Sequence, residues 1–274
     1  EALATGPIEA ISDPDDTLLT VVGGRQTKGA LPMVTRHFDA AVYSSRGRGY
    51  AAYNEDGAGV YCDEKGFVYA GVFDQAGGLG GSVRGAASGL AAKTAFHAFR
   101  EIATAPQTKD IRAALTHAID DAHKTLVDRG EGEVTTAVLA VLQPKRVILV
   151  SSGDSAAMRF DEKGQLLGVT DKHEAISAFG VGCLVHAVGL VPEGPAPDVY
   201  EWPLKTGHWL LMGSDGLLDA GLDIETVGKK LARATSAEDA VNQLAKVVLR
   251  RMTLLQAKPD NLTIIAIRAR PASP

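Results

Sequence analysis

The tetrapeptide Asp-Glu-Lys-Gly occurs twice, as Asp63-Glu64-Lys65-Gly66 and as Asp161-Glu162-Lys163-Gly164. Each copy lies between two short strand-like runs, Gly57 to Cys62 with Phe67 to Phe73, and Ala156 to Phe160 with Gln165 to Val169. A polar turn ending in Gly between such runs is a hairpin signal. Gln143-Pro144-Lys145 joins a third pair, Thr135 to Leu142 and Arg146 to Ser151. Strands joined by tight turns pair antiparallel, because parallel neighbours need a long crossover. Val199 to Trp202, His208 to Met212 and Leu262 to Arg268 complete the strands expected after His37.

Helical periodicity comes in two pairs. Ser82 to Ile102 is rich in Ala, and in Asp110 to Val127 the residues Ile111, Leu115, Ile119, Ala122 and Leu126 recur at helical spacing. Ile224 to Ala234 and Ala237 to Met252 form the second pair, and Ser236 with Asp239 resembles a capping box. Two helix pairs and about ten strands fit a layered sandwich with the helices outside. Hydrophobic residues make up 45% of the 274, enough to fill such a core. Residues 1–34 read as a loosely organised extension, in which only Thr17 to Val22 has strand character. Residues 35–270 read as one domain.

Net charge is −5, so no basic surplus points to nucleic acid or an anionic membrane. No run reaches the roughly 18–20 apolar residues needed to span a bilayer. Cys62 and Cys183 sit in apolar sequence surroundings outside any CxxC pair, and the first five residues lack the basic and apolar regions of a signal peptide. A reducing, cytoplasmic setting and a monomer are expected.

Acidic residues gather at strand ends. Asn54-Glu55-Asp56 precedes a strand, and Phe67 to Phe73 runs into Asp74-Gln75-Ala76-Gly77-Gly78. Gly153-Asp154-Ser155 follows another strand, Gly213-Ser214-Asp215-Gly216 a further one, and Asp260-Asn261 opens the last. Singly, an Asp beside Gly is a turn former. Brought together, such carboxylates would repel one another unless a hard, oxygen-preferring cation such as Mg²⁺ or Mn²⁺ joined them.

The ordered set, with Thr135-Thr136, Ser214-Asp215-Gly216-Leu217-Leu218-Asp219 and Asp260-Asn261-Leu262-Thr263, resembles the metal-dependent protein phosphatase 2C family in its bacterial form. The resemblance covers roughly residues 37–270 and implies an α+β fold, a four-layer α/β/β/α sandwich of two mainly antiparallel sheets flanked by helix pairs. It implies hydrolysis of phosphoserine and phosphothreonine by water activated between two Mg²⁺ or Mn²⁺ ions. By the same resemblance Asp74 bridges the ions, the Gln75 carbonyl binds one, and Asp215 and Asp260 hold the other. Asp56 and Glu55 act mainly through metal-bound waters, Asp154 with Asp215 forms a third site, and Asp219 lies just outside. The implied partners are phosphorylated proteins, a Ser/Thr kinase or its substrates.

Three positions depart from the family pattern. Gln75 stands for a Gly, Ala76 for a Met or His, and Ala51 for a phosphate-gripping Arg, with Arg46 and Arg48 as nearby substitutes. These departures sustain a second reading, a catalytically weak phosphatase-like module that binds phosphoproteins or a regulator. Retention of the core carboxylates argues against it. Gly77-Gly78-Leu79-Gly80-Gly81 imitates a dinucleotide loop, but the glycine spacing fails and Asp74 would repel a pyrophosphate. The seven histidines show no zinc-type spacing; His173 lies in Thr170-Asp171-Lys172-His173-Glu174, which resembles the segment leading to the family's flap, and substrate contact is one reading of it beside an ordinary structural one.

Overall fold

The computed structural model describes residues 17–21, 25–49, 53–76, 85–104, 110–176 and 182–271. The first sheet is built from β1 (Thr17–Val21), β4 (Gly57–Cys62), β5 (Val68–Phe73), β6 (Ala137–Gln143), β7 (Arg146–Ser152) and β12 (Asp198–Pro203), adjacent in that order. The second runs β2 (Leu31–Val34), β3 (Phe38–Ser45), β14 (Leu262–Ala269), β13 (Trp209–Gly213), β8 (Ala156–Phe160) and β9 (Leu166–Val169). Every pairing in both sheets is antiparallel. A small separate hairpin joins β10 (Glu174–Ile176) to β11 (Gly182–Leu184).

Side chains alternate across each strand, and here both faces are apolar. In β6, Val138, Ala140 and Leu142 enter the core between the sheets, while Leu139 and Val141 pack beneath α1 (Ala86–Thr104) and α2 (Ile111–Arg129). In β14, Ile265 and Ile267 face the inter-sheet core. Leu262, Ile264 and Ala266 pack against α5 (Ala237–Thr253) and α4 (Ile224–Arg233). A strand covered on both sides must be hydrophobic nearly throughout, and β6 and β14 are. The result is the expected helix, sheet, sheet, helix stack.

The turn chemistry is visible in detail. Asp63 Oδ1 accepts the Phe67 N–H at 2.9 Å, and Asp161 Oδ1 accepts those of Lys163 and Gln165 at 2.9 and 2.7 Å. Asp110 caps α2 by accepting from the Arg112 N–H at 2.9 Å. At α5 the Asp239 N–H donates to Ser236 Oγ at 3.1 Å, but the Asp239 carboxylate reaches back to the Thr235 N–H at 3.0 Å, one residue earlier than a full capping box. The sequence reading lacked β2, β3, β10 and β11. α1 begins at Ala86 among the described residues, and the Ser82 start lies outside them. β1 and β2 both precede residue 35, and each pairs into a large sheet.

Candidate metal centre

Strand register brings the acidic segments to one end of the sandwich. Gly57 opens β4 opposite Phe73, which closes β5, so Asp56 and Asp74 flank the same rung. Ala137 opens β6 opposite Ser152, the last residue of β7, and Asp154 follows two residues on. In the other sheet Gly213 closes β13 opposite Ala156 of β8 and Ile264 of β14. Asp215 then begins α3 (Asp215–Leu218), a single helical turn. Asp260 enters the same end because Leu262 opens β14 opposite Ser45.

These carboxylates perturb one another. Burial, then the charges of Asp56, Asp215, Asp154 and Asp260, push Asp74 well above the ordinary carboxylate range. Burial also raises Asp56, against the hydrogen bond from Ser214, and Asp215 and Asp260 raise it further. Burial followed by the Asp215 charge pushes Asp154 up to about 6, against the pull of Lys172. Glu55 is raised by burial and by Asp260. Asp56 is fully buried; Ser214 Oγ donates to its Oδ2 at 2.9 Å, while its Oδ1 has no hydrogen-bond partner. A buried carboxylate oxygen without a donor is costly.

All the donors are hard oxygens, which suits Mg²⁺ or Mn²⁺, and the orphaned Asp56 Oδ1 fits a cation or its water. Among the described residues, however, no three His, Cys, Asp or Glu side chains are arranged to hold an ion as they stand. A lysine stands between two of them: Lys258 Nζ lies 3.0 Å from Asp215 Oδ2 and 2.7 Å from Asp260 Oδ2. Desolvation lowers the Lys258 pKa, but its hydrogen bond to Asp260 and the charge of Asp215 outweigh this and raise it.

The uncharged motif residues prove to be the scaffold. Thr136 Oγ1 accepts the Asp74 N–H at 3.0 Å and lies 2.7 Å from Ser155 Oγ, while Thr135 Oγ1 donates to the Asp74 carbonyl at 3.0 Å. Ser214 Oγ, besides holding Asp56, accepts the Thr263 N–H at 3.1 Å. Asn261 ties two segments to the last strand. Its Oδ1 accepts the Glu55 N–H at 2.8 Å, and its Nδ2 donates to the carbonyls of Arg46 and Tyr53, both at 3.2 Å. Asn54 Nδ2 donates to the Arg25 carbonyl at 2.7 Å and to Ser44 Oγ at 2.8 Å. Gln75 needs no left-handed backbone, and its Oε1 accepts the Ala87 N–H at 2.9 Å in the first turn of α1. The side chain that replaces the usual glycine is thus turned away from the carboxylates.

Arg46 and Arg48 are exposed on the turn after β3, and Gly47 between them packs on the Asp260 carbonyl. Ala51 and the glycines from Gly77 to Gly81 lie outside the described residues. Asp219 pairs with Lys172 at 3.2 Å, a contact the sequence reading did not foresee. His173 is buried and has a different task from substrate contact. Its Nδ1 accepts the Gly153 N–H at 3.4 Å, its backbone N–H donates to the Gly153 carbonyl at 2.9 Å, and its Nε2 lies 2.9 Å from Asp198 Oδ2. It braces the turn that carries Asp154. Cys183 is exposed on β11 rather than set in an apolar environment. Among the described residues no helix is long and apolar enough to cross a membrane.

A two-sheet sandwich flanked by helix pairs, with aspartates gathered at one end, defines a phosphatase 2C-type domain. Comparison with known proteins places it more closely. The sequence profile of the Stage II sporulation protein E (SpoIIE) family matches residues 78–270, and the chain belongs to that family. The Mycobacterium tuberculosis serine/threonine phosphatase PstP/Ppp is 22% identical, with a TM-score of 0.67 over 86% of this chain and 100% of that one. The PstP catalytic domain in complex with two manganese ions is likewise 22% identical, with a TM-score of 0.66 over 86% of this chain and 99% of that one. The S. agalactiae serine/threonine phosphatase superimposes with a TM-score of 0.71 at 18% identity, over 84% of this chain and 99% of that one. No curated protein sequence matches the chain.

Proposed function

We propose that the chain is a metal-dependent phosphoprotein phosphatase acting on phosphoserine and phosphothreonine. The observation that carries the reading is the convergence of Asp56, Asp74, Asp154, Asp215 and Asp260, each raised by or raising another, around a buried carboxylate oxygen with no donor. Asp74 and the Gln75 carbonyl would hold one Mg²⁺ or Mn²⁺, with Asp74, Asp215 and Asp260 on the second. Asp56 and Glu55 would act through water, and Asp154 with Asp215 would take a third ion. When bound, the ions supply Lewis acidity, ionise water near neutral pH and screen the phosphoryl oxygens.

The chain's own groups do the positioning. Thr135 and Thr136 fix the Asp74 backbone, and Asn261 fixes the segment that bears Glu55 and Arg46. Ala76 carries no proton, so protonation of the leaving serine or threonine falls to solvent. Arg46 or Arg48, exposed on the turn after β3, would grip the phosphate dianion by paired hydrogen bonds. The substrates are phosphorylated proteins, a Ser/Thr kinase or its targets.

Phosphate release from a phosphothreonine peptide with Mn²⁺ tests this. Turnover is expected; binding of both Mn²⁺ and peptide without turnover would favour the catalytically weak binding module. On the same peptide, Arg46→Ala or Arg48→Ala should raise KM about ten- to a hundredfold, the worth of one charge-assisted hydrogen bond. If neither does and Ala51→Arg lowers KM, the site lacks a phosphate clamp.

A further inference from the structure

Lys258 precedes Asp260 by two residues, with Pro259 between them. Its ammonium lies 2.7 Å from Asp260 Oδ2 and 3.0 Å from Asp215 Oδ2, so it joins the two carboxylates that the proposed function assigns to one ion. The other lysine of this region, Lys172, pairs with Asp219 and bridges no two of these aspartates. The Lys258 side chain is 57% exposed, whereas those of Asp215 and Asp260 are only 17% and 12% exposed. The stem therefore runs to solvent while its head enters the acidic cluster. Pro fixes its own φ, and that stiffens the short link from the lysine to its carboxylate.

We propose that Lys258 is a built-in competitor of the divalent cation, holding Asp215 and Asp260 together in the metal-free protein and yielding its place when an ion enters. An ammonium brings one positive charge at hydrogen-bond distance, roughly 2.8 Å. A divalent ion of Mg²⁺ type brings two charges at about 2.1 Å and can polarise water. Lysine therefore satisfies the carboxylates without supplying the chemistry. The flexible four-carbon stem lets the head leave without moving the strand, and Lys258 then remains tethered at the mouth of the site. The consequence is a raised metal requirement: free ion must outcompete a group already covalently present.

The inference rests on the proposed metal centre, and calorimetric titration of the metal-free protein with Mn²⁺ separates the two. Lys258→Met and, as a second neutral variant, Lys258→Gln should each bind the ion about tenfold or more tightly than the wild type, since one charged hydrogen-bonding competitor is gone. Lys258→Arg should stay near the wild-type affinity. In the absence of metal, the neutral variants should melt below the wild type, because Asp215 and Asp260 then repel without a counter-ion. If the wild type binds Mn²⁺ and both neutral variants bind it equally or more weakly, the competitor role is overturned while the metal centre stands. If none of the proteins binds Mn²⁺, the metal centre itself falls, and the inference with it.

Discussion

Asp215→Asn should abolish most of the phosphatase activity, lowering kcat at saturating Mn²⁺ by at least about a hundredfold. Loss of a mere supporting partner of a metal ligand costs about 10–100-fold, and the proposed centre gives Asp215 a direct role in both the core and the third site. Asp154→Asn should cost about tenfold or less and chiefly raise the Mn²⁺ concentration needed, because the proposed centre assigns Asp154 to the third ion alone. A stability measurement distinguishes this from simple damage. The Asp215 charge raises Asp56, Asp74, Asp154 and Asp260. Neutralising it relieves repulsion at four partners and breaks one half of the Lys258 bridge. The metal-free Asp215→Asn protein should therefore melt at or above the wild-type temperature while being nearly inactive. Equal, small losses of activity in both variants would show that the centre lies elsewhere.

Gly47→Ala should be the most destabilising single methyl addition near the site. Gly47 has φ +64°, and an added Cβ would lie 1.6 Å from the Asp260 carbonyl oxygen. That oxygen belongs to the backbone at the start of β14, so no side-chain rotation relieves the clash. Backbone strain and overpacking together cost about 2–5 kcal/mol, a fall in melting temperature of roughly 4–9 °C. Activity should fall as well, because relaxation shifts Asp260 and the Arg46–Arg48 turn together. Gly216→Ala makes an independent comparison. Its Cβ would lie 1.8 Å from the Asn261 carbonyl oxygen and would push α3, with Asp215, away from β14. A thermal melt within about 2 °C of the wild type for Gly47→Ala, well short of the drop expected from overpacking, would contradict the close contact between the arginine turn and Asp260.

The sequence showed most clearly what is set by short-range chemistry. β4 and β8 begin and end where the alternating runs and their turn residues place them. β3 (Phe38–Ser45) is buried along nearly its whole length, so it lacks the apolar–polar alternation that marks a half-exposed strand. β10 and β11 are three residues each, below what periodicity can detect. The carboxylates were legible because each ends or begins a strand, and register then gathers strand ends. Their supports were not. Asn261 reaches Glu55 across 206 positions and Ser214 reaches Asp56 across 158, and no local pattern announces such bonds. Lys258 belongs to no motif in the sequence; only folding places Asp215, 43 residues earlier, against it. Gln75 departs from the family pattern in the sequence, and the structure gives its side chain a hydrogen bond at the start of α1.

The central claim is that this cluster of aspartates works through divalent metal. The most direct measurement is p-nitrophenyl phosphate hydrolysis by the purified protein, assayed after exhaustive EDTA dialysis and again after Mn²⁺ is restored. The account predicts no turnover in the chelated protein and recovery on adding Mn²⁺. Undiminished hydrolysis after rigorous chelation would contradict it.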